Sequence, residues 1–182
     1  NGIIGDVNLL KREKDPERQE EYFQILKYCS DHMLQQVNNI LDFNKIEANK
    51  LEIHPSELNL RQLLNNVGMP FNALFQEKGL KLVTEIDPRL EVSVMADDVR
   101  LIQIFNNLLS NALKFTDAGH VTLAAVLKKK TNKGIEVSVT VADTGLGIAR
   151  SDQKKNFESF GQIYHEDTKK VMGTGLSLTI CA

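Results

Sequence analysis

The chain has no tryptophan, two cysteines, four prolines and only 6% aromatic residues in 182 positions. Cys29 and Cys181 lack any paired spacing, which excludes a disulfide framework or a cysteine-built zinc site and suits reduced thiols in the cytoplasm. Neither sign of charge dominates, since 22 Lys and Arg stand against 24 Asp and Glu for a formal charge of −2. Without a basic block the chain carries no electrostatic footprint for nucleic acid. Long apolar runs are missing as well: the longest, Leu123 to Leu127, falls far short of the ~18 residues a membrane helix requires. The start of the chain also lacks the basic-then-apolar order of a secretory signal. What is present is a soluble composition, 42% hydrophobic and 25% charged. Its length suits one domain with an appendage or two small domains, and excludes a large enzyme.

The first unit, 1–51, has helical periodicity interrupted once, at Lys14-Asp15-Pro16-Glu17. Asp15 suits an N-cap and Pro16 the first helical position, so the segment reads as a helical hairpin. Ile3, Ile4, Val7 and Leu10 line its first arm. Tyr22, Leu26, Cys29, Met33, Gln36, Ile40 and Phe43 line the second at alternating spacings of four and three. Ile25, Val37 and Leu41 widen that stripe beyond what one short arm covers. A homodimer forming a four-helix bundle would bury the surplus; a helix-rich protein without dimerisation is the alternative.

The second unit, 52–182, has a different texture. A weak strand is predicted near Leu51–His54, at the junction, and then a helix after Asn59, where Asn59 and Gln62 make a capping-box pattern. Gly68 and Pro70 are expected to kink that helix. Strand-like runs follow at Leu80–Ile86 and Val92–Ala96, then a long helix over about Asp98–Phe115. Two further strands, Val121–Leu127 and Ile135–Ala142, are joined by a Lys128–Gly134 turn. The predicted class is α+β: mostly hairpin-linked strands in a mixed sheet covered by helices on one face. From 143 onward, glycines flank a polar stretch that reads as loop around a ligand.

On the long helix, Asn107, Asn111 and Lys114 fall at i, i+4 and i+7, one polar stripe among Leu101, Ile104, Phe105, Leu108, Ala112 and Leu113. Such a stripe is ordinarily a solvated face. Asparagine is nevertheless a poor helix former, and an amide oxygen beside an ammonium suits a magnesium–phosphate group. The next strand delivers Asp143-Thr144-Gly145-Leu146-Gly147-Ile148, a carboxylate able to accept from an exocyclic amine, followed by glycines that let a ligand approach the backbone. A plain turn is the alternative. A dinucleotide-binding loop is excluded, because Arg150 stands where that fingerprint needs Gly or Ala. A second cluster, Gly173-Thr174-Gly175-Leu176-Ser177-Leu178, precedes an apolar stretch suited to a helix start, where backbone amides cradle phosphate.

Taken in order, NLLSNALKFT (107–116), DTGLGI (143–148), FESFGQ (157–162) and GTGLSL (173–178) resemble the N, first glycine, F and second glycine boxes of sensor histidine kinases, the hybrid two-component type included. The preceding DFNKIEANKLEI is similar to the end of that family's dimerisation hairpin. The resemblance implies a GHKL-type α/β sandwich behind the hairpin and binding of ATP with Mg²⁺. It implies that Asn111 gives an oxygen to Mg²⁺, Asn107 supports it, Lys114 meets the phosphates and Phe115 packs near the adenine. Asp143 would read the adenine amine, with Gly145, Gly147 and Ile148 in the pocket wall and Phe160 at the base of a lid spanning Gln162–Met172. Gly173, Thr174, Gly175 and Leu176 would close over the phosphates. The γ-phosphoryl would pass to a histidine and then to an aspartate on a response-regulator receiver domain. Related gyrase and mismatch-repair ATPases have glutamate where this chain has Asn107, and an amide cannot take a proton from water.

Three departures accompany the resemblance. The family's phosphoacceptor box, a histidine followed by an acid and later a proline, is absent, and none of His32, His54, His120 or His165 replaces it. The chain is therefore expected to belong to a longer polypeptide, a cytoplasmic part whose membrane attachment lies in segments outside it. Ser177 stands for a usual third glycine, and Asn156 for a usual apolar residue. Three rival readings stay open. One is a degenerate dimerisation and partner-binding module, another a GHKL ATPase, and the third an anti-sigma-type serine kinase, which would not need the hairpin.

Overall fold

The computed structural model describes Leu10, residues 13–132, 134–150, 152–153 and 175–181. It divides into two compact units, Asn1–Lys50 and Leu51–Ala182. In the first, helix α1 spans Pro16–Glu47. Asp15 caps it by accepting from the Glu17 N–H at 3.1 Å, and Pro16 takes the first turn, where a missing N–H costs nothing. At the other end Asn49 adopts a left-handed φ of 51°, and the Lys50 N–H closes back on the Lys45 carbonyl at 2.8 Å. Tyr22, Leu26, Cys29 and Gln36 are half-buried and Phe43 is buried. Met33 and Ile40, expected on the same stripe, are exposed, as are Phe23, Leu34, Val37 and Leu41. The predicted first arm lies outside the described residues, Leu10 excepted.

In the second unit strand β1 is Ser56–Asn59, not Leu51–His54. Pro55 can donate to no ladder, and the His54 N–H is taken by the Asp97 carboxylate at 2.8 Å, so 51–55 stays irregular. Helix α2, Leu60–Glu77, starts where predicted, with the Asn59 side chain accepting from the Gln62 N–H at 2.9 Å. It continues past Gly68 and Pro70 and ends at Gly79, whose φ of +75° lets the Leu80 N–H bond the Phe75 carbonyl at 2.8 Å. Strand β2 (Lys81–Ile86), a 3₁₀ turn (Pro88–Leu90), strand β3 (Ser93–Ala96) and helix α3 (Asp98–Phe115) follow. Strands β4 (His120–Thr131) and β5 (Gly134–Asp143) precede a short helix α4 (Ser177–Cys181).

Two sheets form among the described residues. β1 and β3 make an antiparallel ribbon, Ser56 opposite Ala96 and Asn59 opposite Ser93. β2, β4 and β5 make a mixed sheet in that order, β2 parallel to β4 and β4 antiparallel to β5. The expectation of mostly hairpin-linked strands is corrected: only β4–β5 is a hairpin, and β2 reaches β4 through the crossover that contains β3 and α3. The hairpin also runs further than its apolar alternation, past a register shift between Leu127 and Lys129 to Thr131 opposite Gly134. Ladder hydrogen bonds need no apolar side chains, so the lysines at 128–130 belong to the strand and not to the turn.

Along β4, Val121, Leu123 and Ala125 are fully buried while His120 and Val126 are exposed, so one face of the sheet is covered. Leu60, Leu63, Leu64, Val67 and Phe75 of α2 and Phe105, Leu109 and Ala112 of α3 form the core over that face. At Gly68 an added methyl would stand 3.6 Å from Leu123 Cδ2, so α2 lies close on the sheet. The C-terminal turn of α3 lies beside the end of β5, where a Cβ on Gly145 would overlap the Phe115 carbonyl oxygen.

Candidate functional site

Helix α3 begins at the Asp97 cap, whose carboxylate accepts from the Arg100 N–H at 3.0 Å. With Phe105, Leu109 and Ala112 committed to the core, Asn107, Asn111 and Lys114 share another side of the helix. Their environments differ. Asn107 is buried, 4% exposed, and its amide donates to Cys181 Sγ at 3.9 Å. That sulfur also lies 3.9 Å from the Ile104 carbonyl, so α4 packs on α3 over this residue, and burial pushes the Cys181 thiol up. Asn111 is half-buried with no hydrogen-bond partner among the described residues. Lys114 is half-buried too, and no carboxylate meets its ammonium among the described residues. Nζ stands 5.0 Å over the Phe115 ring, and burial lowers its pKa from the ordinary lysine value.

The carboxylate comes from the sheet. Pairing of Asp143 with Val121 brings the end of β5 beside the start of β4, just after α3 ends. Asp143 is exposed; Oδ1 accepts from the Gly145 N–H at 2.9 Å, which fixes the side chain and leaves Oδ2 without a partner among the described residues. Gly145 lies directly against α3, since a Cβ there would overlap the Phe115 carbonyl oxygen. Gly147 serves differently, through a left-handed φ of +69° with open space around it. Phe115, Leu146 and Ile148 leave apolar side chains exposed around this strand end. Thr116, fully buried at the α3 C-cap, has a hydroxyl with no hydrogen-bond partner among the described residues.

Of the second glycine cluster, Gly175 has φ +70° and Leu176 is buried at the start of α4. Ser177 is the first residue of that helix, and among the described residues Asn49 is the only non-glycine with positive φ. Phe160, Gly173, Thr174 and the lid at Gln162–Met172 lie outside the described residues. Sequence reasoning passed over Thr144 and Gly119, although Thr144 sits inside the motif it singled out. Lys78 was missed as well. Its ammonium donates to the Leu113 carbonyl at 2.8 Å and stands 3.4 Å from Asp117, tying α2 to the end of α3.

An amide oxygen and an ammonium on one helix stripe, with a half-free carboxylate at the adjoining strand end, can hold a polyphosphate, a hard cation and an amine-bearing ring. Residues 1–49 match the family model of the His Kinase A (phospho-acceptor) domain, and residues 96–182 that of the histidine kinase-, DNA gyrase B-, and HSP90-like ATPase. The chain belongs to the sensor histidine kinase family. Within it, the chain is similar to the sensor histidine kinase RcsC of Salmonella typhimurium, 36% identical over 180 residues, 99% of this chain and 18% of the relative. It is also similar to the hybrid signal transduction histidine kinase L of Dictyostelium discoideum, 35% identical over 181 residues, 100% of this chain and 11% of the relative. Among solved structures, full-length ShkA in complex with AMPPNP aligns with a TM-score of 0.71 at 33% identity, covering 98% of this chain and 36% of that one. The chain thus spans between 9% and 20% of the length of these curated relatives. Its second unit is a histidine kinase domain of the ATP-binding type. No described helix is long and apolar enough to cross a membrane.

Proposed function

We propose that the chain is the core of a sensor histidine kinase that binds ATP with Mg²⁺ in the second unit and donates the γ-phosphoryl to a histidine on a dimerised hairpin. The observation that carries this reading is the pair Asn111 and Lys114, half-buried on one stripe of α3 with no polar partner among the described residues. A desolvated lysine without a carboxylate is unfavourable by itself and becomes favourable when a phosphate meets it. Asn111 is a hard oxygen donor of the type Mg²⁺ accepts, and Mg²⁺ bound there would neutralise charge on the phosphates. Among the described residues no group of three His, Cys, Asp or Glu could hold a cation, so its further ligands would be phosphate and water.

Asp143 orients the base through its free oxygen, Gly145, Gly147 and Ile148 line the wall, and Phe115 offers an apolar face. Phe160 with Gly173, Thr174, Gly175 and Leu176 would complete the enclosure. Asn107 cannot serve as a base toward water, and its engagement with Cys181 suits a supporting role. Catalysis then rests on positioning and electrostatics, with the histidine as nucleophile. The exposed apolar residues of α1, from Phe23 to Leu41, support homodimerisation through the hairpin. A receiver-domain aspartate is the onward acceptor.

The test supplies γ-labelled ATP and Mg²⁺ to the chain together with a dimeric hairpin that carries the acceptor histidine of a relative such as RcsC. Acid-labile, alkali-stable label on the hairpin is the expected result. Steady release of inorganic phosphate with no label on histidine would favour the ATPase reading instead.

A further inference from the structure

The loop between α3 and β4 is gripped by one side chain, that of Thr144, the residue directly after β5. The His120 N–H donates to Thr144 Oγ1 at 3.1 Å. The hydroxyl proton faces the Ala118 carbonyl at 3.1 Å and the His120 carbonyl at 3.2 Å. The Thr144 N–H itself donates to the His120 carbonyl at 3.2 Å. Gly119 permits the contact twice over: its φ is +106°, and any Cβ there would overlap Thr144 Oγ1. One residue further on, Gly145 abuts the Phe115 carbonyl. The residues flanking this clasp are those of the candidate site: Lys114 and Phe115 end α3 just before the loop, and Asp143 precedes Thr144 directly.

We propose that Thr144 is a positioning residue of the nucleotide site, a latch that holds the Asp143 carboxylate at a set distance from the α3 end and so sets the preference for adenine. The inference rests on the nucleotide reading above. Its physical content is pre-organisation. Asp143 is exposed and backed by one hydrogen bond, so its aim depends on how firmly the strand end is tied to the helix end. A base amine donates to a carboxylate, whereas the carbonyl that guanine presents there is repelled, so a loosened carboxylate loses discrimination as well as affinity.

The experiment compares the chain with Thr144→Val, Thr144→Ser and Gly119→Ala, titrating non-hydrolysable ATP and GTP analogues in Mg²⁺. Thr144→Val keeps the shape and removes the hydroxyl. It should weaken the ATP analogue about tenfold and the GTP analogue much less, so that the ratio of the two affinities collapses. Thr144→Ser should restore both affinity and ratio, and Gly119→Ala should reproduce the loss by wedging the loop away. Amide exchange without nucleotide reads the latch separately: His120 should exchange faster in Thr144→Val and as in the parent in Thr144→Ser. An unchanged ratio in Thr144→Val and Gly119→Ala, or a Ser variant that fails to recover, overturns the proposal. If Thr144→Val does not fold, the Gly119→Ala and Thr144→Ser ratios decide by the same criteria. Faster His120 exchange in a chain that binds neither analogue would overturn the nucleotide reading, and with it the role proposed for Thr144, while leaving the latch itself in place.

Discussion

Replacing Lys114 by methionine should move stability and ligand response in opposite directions. In the free protein the ammonium is half-buried without a carboxylate, and burial lowers its pKa, so a neutral chain of similar length relieves an unfavourable group. The unfolding midpoint without nucleotide should stay level or rise. With nucleotide the order reverses. A charged hydrogen bond to phosphate contributes about 1.5–3 kcal/mol, so its loss weakens binding roughly 10- to 150-fold. At a nucleotide concentration 100-fold above Kd, binding stabilises the fold by about 2.7 kcal/mol; a variant roughly 100-fold weaker keeps about 0.4 kcal/mol. At about 4 °C per kcal/mol for a unit of this size, the nucleotide-induced rise in midpoint shrinks from about 10 °C to about 2 °C. Differential scanning fluorimetry with and without Mg²⁺ and the ATP analogue reads both quantities in one plate. The sign with pH follows as well. The protonated ammonium binds phosphate, so affinity falls as pH rises through the lowered pKa, earlier than for an ordinary lysine, and Lys114→Met abolishes that fall. Equal nucleotide-induced shifts in parent and variant would refute the reasoning.

Two further outcomes check the frame around the site. Leu109→Ala empties a fully buried position where α3 meets the sheet and should cost about 3–5 kcal/mol in urea unfolding, enough to leave the second unit marginal. Gly145→Ala puts a methyl into the Phe115 carbonyl and should push the strand end off α3, lowering the unfolding midpoint and nucleotide affinity together, whereas Gly147→Ala meets open space and costs only the strain of a left-handed φ, about 1–3 kcal/mol.

Much of this was legible in the sequence because the signals were local. Asp15-Pro16 and Asn59 with Gln62 announce helix starts through caps that the structure contains, and the extent of α3 follows from its apolar periodicity. Strand partnership was not legible. Nothing in Leu80–Ile86 states that it lies parallel to β4, because that pairing is decided by a crossover of more than thirty residues. The position of β1 is not legible either: it lies five residues beyond the expected Leu51–His54, and the His54 N–H is held by Asp97, 43 positions away. At the site the same division holds. The stripe of Asn107, Asn111 and Lys114 is visible from spacing alone, but the separation of Asn107 from the other two depends on Cys181, brought over it by α4. Thr144 carried no periodicity and became meaningful only when its hydroxyl was found on the loop after α3.

The measurement that bears most directly on the account is calorimetric titration of the chain with a non-hydrolysable ATP analogue, with and without Mg²⁺, beside Asn111→Ala and Asp143→Asn. The account predicts saturable binding that Mg²⁺ strengthens, loss of the Mg²⁺ enhancement in Asn111→Ala, and loss of adenine binding in Asp143→Asn. Binding that ignores both substitutions, or a folded chain that binds no nucleotide in either condition, would contradict it.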